Sequence, residues 1–380
     1  VNFAYNKSAF YHNFYDKHGV NIVSINGIED IGKLPVIDKQ IVRENIEDIA
    51  IGNRLTLMSA LTGGTTGASL KILQDYKAVL SEQAYLYRYR CLCGYKQGQP
   101  IVSLRAHLDS KNIKLKLPVG NILYLSSYLI NQQNIAVYLD EIVKHKPVAI
   151  EGYPSSLYTL ALMLRDAGLE LYIPIAFTSS ETLLDYQREQ IEQQLHTEIF
   201  DLYGMTEESI CLHETLNHKG YYEAPGFSIN EYLEDGEICT SLINDAFPLI
   251  RYRSNDVIEL YKGSEFEGNK FLIQRIEGRK EDYIVCKDGS KVMRLDFLFK
   301  GVSHVRKSQL IQKKDNCLLI NIVPEEGFCD ADRELVKQNL FHRLGERNID
   351  YQIAIIKESE ILYSSNGKFK YLINSKTVKV

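Results

Sequence analysis

The sequence has no apolar run that approaches the roughly 20 residues of a membrane-spanning helix, and its first residues lack the apolar core of a signal peptide. Its seven cysteines are odd in number and scattered, which favours a reducing environment over a disulfide framework. We therefore expect a cytoplasmic protein without a membrane span. The chain begins with Val1 rather than methionine, which leaves open whether its native start is missing.

An excess of positive charge is also lacking. The net charge is −5 and the isoelectric point is near 6.0, which argues against a general nucleic-acid binder or a binder of anionic membranes. With 380 residues, 45% of them apolar and 24% charged, the chain is long enough for two or three globular domains with large buried cores.

Helical and strand patterns alternate through the first half of the chain. Apolar spacing predicts helices over residues 75–92, 134–145, 156–167 and 182–195, and short buried strands over 101–104, 148–150, 175–178 and 198–200. This alternation predicts an α/β fold with a doubly wound, largely parallel sheet.

The second half changes character. Residues 221–273 read as strands and turns, which predicts a β-rich part of the large domain. Beyond residue 278, strands at 283–285, 318–323 and 351–356 surround a helix at 330–344 and predict a small α+β domain. We therefore expect a large domain over residues 1–278 and a small one over 279–380.

The segment with the clearest chemistry joins glycines to threonines between two apolar stretches. Glycine lets a backbone approach an anion, successive N–H groups form an anion nest, and threonine hydroxyls add donors. The spacing is not that of a Walker A loop, and a plain surface loop is the alternative reading. The candidate phosphate-binding residues are Thr62, Gly63, Gly64, Thr65, Thr66 and Gly67.

Other polar segments follow predicted strands, where ligands of open α/β sheets bind. After the strand at 175–178 stand Ser179, Ser180 and Glu181, for which a simple helix cap is the alternative. After the strand at 198–200, the Tyr203 ring can stack on a base and the Thr206 hydroxyl can meet a phosphate. The Glu207 carboxylate in this segment can hold Mg²⁺ together with nucleotide oxygens, whereas a turn around a buried tyrosine is the alternative.

Two further segments suit a nucleotide site beside a hinge. The carboxylate of Asp256 closes a strand-turn pattern and can accept both hydroxyls of a ribose. Residues 276–284 are charged and contain a glycine, as a hinge between domains requires, although any linker looks similar.

Taken in order, these segments resemble the adenylate-forming superfamily of acyl-CoA synthetases, nonribosomal-peptide adenylation domains and luciferases. Within it, the chain is most similar to the branch of phenylacetate-CoA ligase and CapK-type proteins. The resemblance covers nearly the whole chain. Residues 34–39, 151–156, 251–256 and 366–370 also match.

The resemblance implies roles for individual residues. The loop 62–67 would wrap the β- and γ-phosphates of ATP, and the small domain would rotate about a hinge to carry a mobile catalytic lysine in and out of the site. The implied roles are Ser179, Ser180 and Glu181 in the adenine pocket, Tyr203 with Gly204 against adenine, Thr206 at the α-phosphate, Glu207 on Mg²⁺, Asp256 on the ribose, Arg279 on the ribose or phosphate side, Glu281 as the hinge and Lys368 as the mobile lysine.

The sequence departs from the family pattern at the phosphate loop. Ala68 and Ser69 stand where a Lys-Pro pair is common, and Ser254-Asn255 replaces the usual Thr-Gly before Asp256. These changes are mild, because hydrogen-bonding groups remain in both segments.

The resemblance implies a carboxylate ligase that uses ATP and Mg²⁺ to convert a small carboxylic acid to an acyl-adenylate, releases pyrophosphate, and passes the acyl group to CoA or another thiol. An amine or sugar acceptor in surface (capsule) polysaccharide synthesis is one alternative. A nucleotide-binding module without turnover is another. The acyl pocket is expected to use Tyr124, Ser126, Tyr153 and Pro154, and Cys211, His213 and His218 are either a metal site or solvated loop residues.

Overall fold

The computed structural model describes residues 1–62, 70–105, 113–116, 120–127, 129–233, 236–254, 256–266, 270–279, 283–287, 291–292, 298–299, 302, 304–313, 317–344, 348–363 and 369–374. The predicted site residues 63–67, Glu281 and Lys368 lie outside these ranges. None of the helices within them is long and apolar enough to cross a membrane.

The N-terminal segment forms short helices and one hairpin. In chain order these are α1 (Asn2–Lys7), α2 (Ala9–Lys17), α3 (Lys39–Glu44), α4 (Ile46–Ile49), β1 (Met58–Leu61) and β2 (Lys71–Gln74). Tyr11, Tyr15 and Ile37 are fully buried in a core that also includes Leu249 and Tyr252, so this segment packs against a region some 200 residues later in the sequence.

The main sheet has the predicted α/β architecture. Its helices and strands follow as α5 (Tyr76–Leu92), β3 (Ile101–Arg105), β4 (Lys114–Lys116), β5 (Ile122–Ser126), α6 (Ile135–His145), β6 (Ala149–Gly152), α7 (Pro154–Asp166), β7 (Ile175–Ser179), α8 (Asp185–Leu195), β8 (Glu198–Gly204), β9 (Cys211–Glu214) and β10 (Tyr221–Glu223). The central strands pair in parallel in the order β8-β7-β6-β3-β5.

Helices cover both faces of these parallel strands. Leu157, Leu160 and Ile191 of α7 and α8 pack with strand residues on one face, and Tyr89 of α5 packs with Phe177 on the other. A sheet with both faces covered explains why the strands read as continuous apolar runs. The predicted doubly wound fold is confirmed.

Strands dominate the region that follows. It contains β11 (Ser228–Leu233), β12 (Gly236–Ser241), β13 (Tyr252–Arg253), β14 (Asp256–Phe266) and β15 (Lys270–Arg279). The first three strands form a separate antiparallel sheet, whereas β14 and β15 extend the main sheet beyond β10, as the β-rich pattern of residues 221–273 predicted.

The C-terminal region is an α+β unit. Its elements are β16 (Ile284–Val285), β17 (Lys291–Val292), β18 (Val305–Gln312), β19 (Leu318–Pro324), α9 (Asp330–Leu344), β20 (Tyr351–Ile355) and β21 (Leu372–Asn374). Leu310, Ile320 and Ile322 of its sheet pack on Val336 and Leu340 of α9 and form a core of their own.

Two helix starts differ from the sequence pattern, and both flank the site. The helix predicted from residue 156 begins at Pro154, because proline at the first helical position already has a helical φ and needs no N–H partner. The helix predicted from residue 182 begins at Asp185, so the stretch before it is a loop in which Ser180 has a φ of 70°.

Candidate functional site

The predicted site residues gather at the carboxyl ends of the parallel strands. Ser179 ends β7, Gly204 ends β8, and Tyr153 caps the helix that follows β6. The candidate acyl-pocket residues at this edge are Tyr124 and Ser126 on β5, with Tyr153 and Pro154 at the start of α7. The fold therefore brings segments that are far apart in sequence to one edge of the sheet.

Thr62 closes the base of the glycine-threonine loop. Its backbone N–H donates to the Leu70 carbonyl at 2.9 Å, and its Oγ1 accepts from the Leu70 N–H at 2.9 Å. Because both bonds join residues on either side of the loop, the hydroxyl at its base is fixed in position.

Lys39 lies between this loop base and the predicted magnesium ligand. Its Nζ is 3.3 Å from Thr62 Oγ1 and 3.9 Å from Glu207 Oε1. Residues 34–39 match the family pattern, but the sequence alone implied no role for Lys39. A usable signal was present, since the segment continues Asp38-Lys39 and the loop itself lacks the common lysine at 68–69.

A long-range pairing places Lys39 there. The Ile37 N–H donates to the Arg251 carbonyl at 3.0 Å, and the Arg253 N–H donates to the Ile37 carbonyl at 2.8 Å. The next residue, Asp38, caps α3 by accepting from the Ile41 N–H at 2.8 Å. Lys39 is thus the first residue of a helix that is fixed beside β13.

A tight turn presents Thr206 and Glu207. The Glu208 N–H donates to the Met205 carbonyl at 2.9 Å, which makes Thr206 and Glu207 the two central residues of the turn. Glu207 is 9% exposed, and the Tyr252 hydroxyl lies 3.4 Å from its Oε1. A cation and a hydroxyl donor thus both lie near the same oxygen, Oε1, of this carboxylate.

The donor set fits a magnesium ion that arrives with a nucleotide. Across the described ranges, no group of three or more His, Cys, Asp or Glu side chains is arranged to hold a metal. Mg²⁺ bound with a nucleotide commonly uses one or two protein carboxylates together with phosphate oxygens and water, and Glu207 can supply such a carboxylate.

Tyr203 and Asp256 are in direct contact. The Tyr203 hydroxyl donates to Asp256 Oδ2 at 2.5 Å and lies 3.4 Å from Glu237 Oε1. Burial raises the pKa of Tyr203 well above its usual value, and the Asp256 carboxylate adds to this. Asp256 also pairs with Arg279 in the β14–β15 register, so the predicted ribose ligand and the predicted arginine are neighbours in the backbone.

A second carboxyl group lies beneath this pair. Glu237 is fully buried and accepts from the Ser254 hydroxyl at 2.7 Å. Burial raises the pKa of Glu237 to about 8, so the group is largely protonated at neutral pH and adds little negative charge beside Asp256. Glu237 could not be recognised from the sequence, because only the fold makes it a buried group.

Glu181 bridges the large domain and the C-terminal unit. Its Oε2 accepts from the Ser155 N–H at 3.1 Å, and its Oε1 accepts from the Phe369 N–H at 2.9 Å. Ser179 and Ser180 precede it in the loop after β7. The segment predicted for the adenine pocket therefore also touches the part of the chain that directly follows Lys368.

Further contacts dock the C-terminal unit on α7. The Tyr158 hydroxyl donates to the Arg306 carbonyl at 2.7 Å, and Lys307 Nζ donates to Thr159 Oγ1 at 2.9 Å. The Arg306 guanidinium pairs with Asp166 at 2.6 Å. These contacts run along the helix that Glu181 caps.

Of the three residues considered as a metal site, Cys211 and His213 are in contact on β9, whereas His218 pairs elsewhere. Cys211 Sγ and His213 Nε2 are 3.4 Å apart, and the His213 ring stacks on Tyr89 with centroids 4.3 Å apart. Burial lowers the pKa of His213 to about 4. His218 instead lies 3.1 Å from Glu198, so these residues serve packing and surface pairing.

Comparison with known proteins identifies similar sequences. The model of the CapK C-terminal domain matches residues 284–375. Protein CapK of Staphylococcus aureus is 25% identical over 398 residues, covering 98% of this chain and 86% of CapK. Phenylacetate-coenzyme A ligase of Pseudomonas putida is 22% identical over 315 residues, covering 75% of this chain and 69% of that ligase.

Solved structures share the fold. The crystal structure of 2-hydroxyisobutyryl-CoA ligase in the postadenylation state superposes with a TM-score of 0.76 at 16% identity, covering 98% of this chain and 86% of that one. The same ligase in the thioesterification state gives a TM-score of 0.59 at 16% identity, covering 98% of this chain and 87% of that one. The resemblance inferred from the motifs is confirmed: the chain is similar to CapK over nearly its whole length and to phenylacetate-coenzyme A ligase over three quarters of it, and it shares the fold of an acyl-CoA ligase.

Proposed function

We propose that this protein activates a small carboxylic acid with ATP to an acyl-adenylate and then transfers the acyl group to the thiol of CoA. The observation that carries the proposal is the position of Lys39 Nζ between Thr62 Oγ1 and Glu207 Oε1, at the strand edge that also holds Tyr203 and Asp256. This arrangement supplies a cation, a hydroxyl and a carboxylate for a metal-bound polyphosphate, beside residues suited to a nucleoside.

In the first step, a carboxylate oxygen of the acid attacks the α-phosphorus of ATP, and the bond to the departing pyrophosphate breaks. Both reactants are anionic, so the step needs positive charge around the phosphates. Lys368 would act at the α-phosphate with the Thr206 hydroxyl, and Lys39 would act on the pyrophosphate side. Mg²⁺, held by Glu207 and phosphate oxygens, would neutralise developing charge there.

The nucleoside would bind beside Tyr203 and Asp256. The Asp256 carboxylate can accept from both ribose hydroxyls, which would then compete with the Tyr203 hydroxyl for Oδ2. The ring of Tyr203 would stack on adenine, with Ser179, Ser180 and Glu181 along its edge and Arg279 near the ribose. The acid would lie among Tyr124, Ser126, Tyr153 and Pro154, of which Ser126 is buried.

In the second step, the small domain would rotate about Glu281 and withdraw Lys368, which opens the acyl carbonyl to the acceptor. The thiolate attacks the carbonyl carbon and AMP leaves. The higher TM-score against the postadenylation state than against the thioesterification state of the same ligase, 0.76 against 0.59, supports assigning the present arrangement to the first step. The CoA-ligase names of the relatives support CoA as the acceptor.

The test is ATP–pyrophosphate exchange across a library of acids that includes phenylacetate and 2-hydroxyisobutyrate. We expect exchange with at least one acid, formation of a thioester when CoA is added, and no amide when an amine or an amino sugar is added instead. Lys368→Ala should reduce exchange by about 100- to 1000-fold, the usual effect of losing one transition-state contact. Binding of ATP without exchange for every acid would instead identify a nucleotide-binding module.

A further inference from the structure

The Glu181 carboxylate contacts two backbone N–H groups from opposite sides of the domain boundary. One belongs to Ser155 in the large domain, at 3.1 Å, and the other to Phe369 in the C-terminal unit, at 2.9 Å. Hydrogen bonds to an ionised acceptor are about twice as strong as neutral ones. The side chain is therefore a direct and directional connection between the two units.

The contact of Glu181 with the large domain is favoured by its position at the start of α7. Ser155 is the second residue of α7, after Pro154, so its N–H has no partner inside the helix. The positive end of the helix dipole also favours a carboxylate at this point. Glu181 is thus held in place on α7 and presents its second oxygen to the C-terminal unit.

The surroundings of Phe369 show that this contact is part of a continuous surface. Its side chain shares one small cavity with Tyr158, Tyr186 and Lys307. Lys307 is 7% exposed, pairs with Glu358 and donates to Thr159, so it is a buried cation committed to this surface. The hydrogen bond from Phe369 to Glu181 lies at the edge of this surface, one residue after Lys368 in the sequence.

We propose that Glu181 is a positioning residue that holds the segment after Lys368 in place for adenylation, by accepting from the Phe369 N–H. The expected effect on the rate of adenylation rests on the proposed function. When the C-terminal unit moves away, the bond to Phe369 breaks while the bond to Ser155 remains. Glu181 would therefore stabilise the adenylation arrangement and leave the second step untouched.

The chain contains no tryptophan, which allows a direct optical test. Phe369→Trp introduces a single reporter that keeps both an aromatic ring and the backbone N–H. In this background, Glu181→Ala should shift the tryptophan emission to longer wavelength, because the ring becomes more exposed. In ATP–pyrophosphate exchange it should lower kcat by about 10- to 100-fold, the loss expected for one hydrogen bond to a charged group, with little change in the KM for ATP.

Two controls separate positioning from folding. Glu189→Ala removes an exposed carboxylate of the neighbouring helix and should change neither signal. Glu181→Gln keeps an oxygen acceptor and most of the side-chain volume, so it should recover part of the emission and of kcat. If α7 is destabilised by Glu181→Ala, the thermal midpoint will fall, and the Gln variant then carries the comparison.

Other outcomes would overturn the proposal. A raised KM for ATP with unchanged emission would assign Glu181 to the adenine pocket alone. If Phe369→Trp has the same emission and the same kcat with and without Glu181→Ala, the bond to the Phe369 N–H does not hold the C-terminal unit in place. If no acid supports exchange, the proposed function fails, while the emission shift still decides whether Glu181 anchors Phe369.

Discussion

Two clusters of charged residues lie near β8, and they differ in how tightly their members are bonded. In the first, Asp201 accepts from the Thr178 hydroxyl at 2.5 Å and from Tyr221 at 2.7 Å, while Glu214 accepts from Arg188 at 2.6 Å and from the Asp201 N–H at 2.7 Å. In the second, the contacts that join Lys39, Thr62, Glu207 and Tyr252 to one another are 3.3 to 3.9 Å long, although Thr62 is also bonded to Leu70 at 2.9 Å.

The difference separates a scaffold from a binding site. Short, complete hydrogen bonds compensate the desolvation of the first cluster, and a ligand could enter it only by breaking them. Longer contacts among a lysine, a hydroxyl and a carboxylate leave room for phosphate oxygens and a metal to improve the geometry. We therefore expect substitutions in the second cluster to affect catalysis, and those in the first to affect stability.

The largest expected effect is at Lys39. Lys39→Ala should lower kcat/KM in ATP–pyrophosphate exchange by about 100- to 1000-fold, because it removes a cation that faces the polyphosphate. The thermal midpoint should stay close to that of the unmodified protein, since the contacts of Lys39 with Thr62 and Glu207 are long, at 3.3 and 3.9 Å. Lys33→Ala is the matched control, because this exposed lysine of the same segment pairs with Asp30 instead. An equal loss of kcat/KM in Lys39→Ala and Lys33→Ala would contradict a specific role for Lys39 at the phosphates.

The scaffold cluster should respond in the opposite way. Glu214→Ala removes the partner of Arg188 and the acceptor of the Asp201 N–H, and should lower the free energy of unfolding by about 2–3 kcal/mol. This is less than for a fully buried pair, because Arg188 is 21% exposed. Chemical denaturation measures the loss. A folded variant whose exchange activity at low temperature is lost would contradict the scaffold role.

The last prediction is a pH dependence of stability at Glu237, which tests whether this buried carboxyl group is neutral in the folded protein. Its pKa is raised to about 8, so the folded state keeps a proton that the unfolded state releases above its ordinary value of 4.5. The folded protein should therefore lose stability at up to about 1.4 kcal/mol per pH unit as the pH rises from about 4.5 to 8.

Glu237→Gln removes this titration with little change of shape. The variant should gain stability relative to the parent between pH 5 and 8, and the difference should level off above pH 8. Thermal midpoints measured across this range, with Glu189→Gln as an exposed control, report the change. A difference that does not vary with pH would show that Glu237 is ionised in the folded state.

The sequence was most informative where local pattern decides structure. The strand ends that carry Ser179, Tyr203 and Gly204 could be predicted because buried parallel strands read as short apolar runs followed by polar residues. The start of α7 at Pro154 could also have been anticipated from the preference of proline for the first helical position.

The sequence was least informative where a contact depends on distant pairing. Lys39 reaches Glu207 only because Ile37 pairs beside Tyr252, more than 200 residues later, and no local signal encodes that bridge. Glu181 acquires Phe369 as a partner only when the C-terminal unit docks. Glu237 becomes a neutral acid only through burial, which its own neighbours in the sequence do not predict.

The most direct test of the central claim is a crystal structure of the protein with Mg²⁺ and a non-hydrolysable ATP analogue. We expect the β- and γ-phosphates within hydrogen-bonding distance of Lys39 Nζ and Thr62, the metal on Glu207 and the ribose on Asp256. Triphosphate bound away from Lys39, with the nucleoside elsewhere than beside Tyr203, would contradict the account.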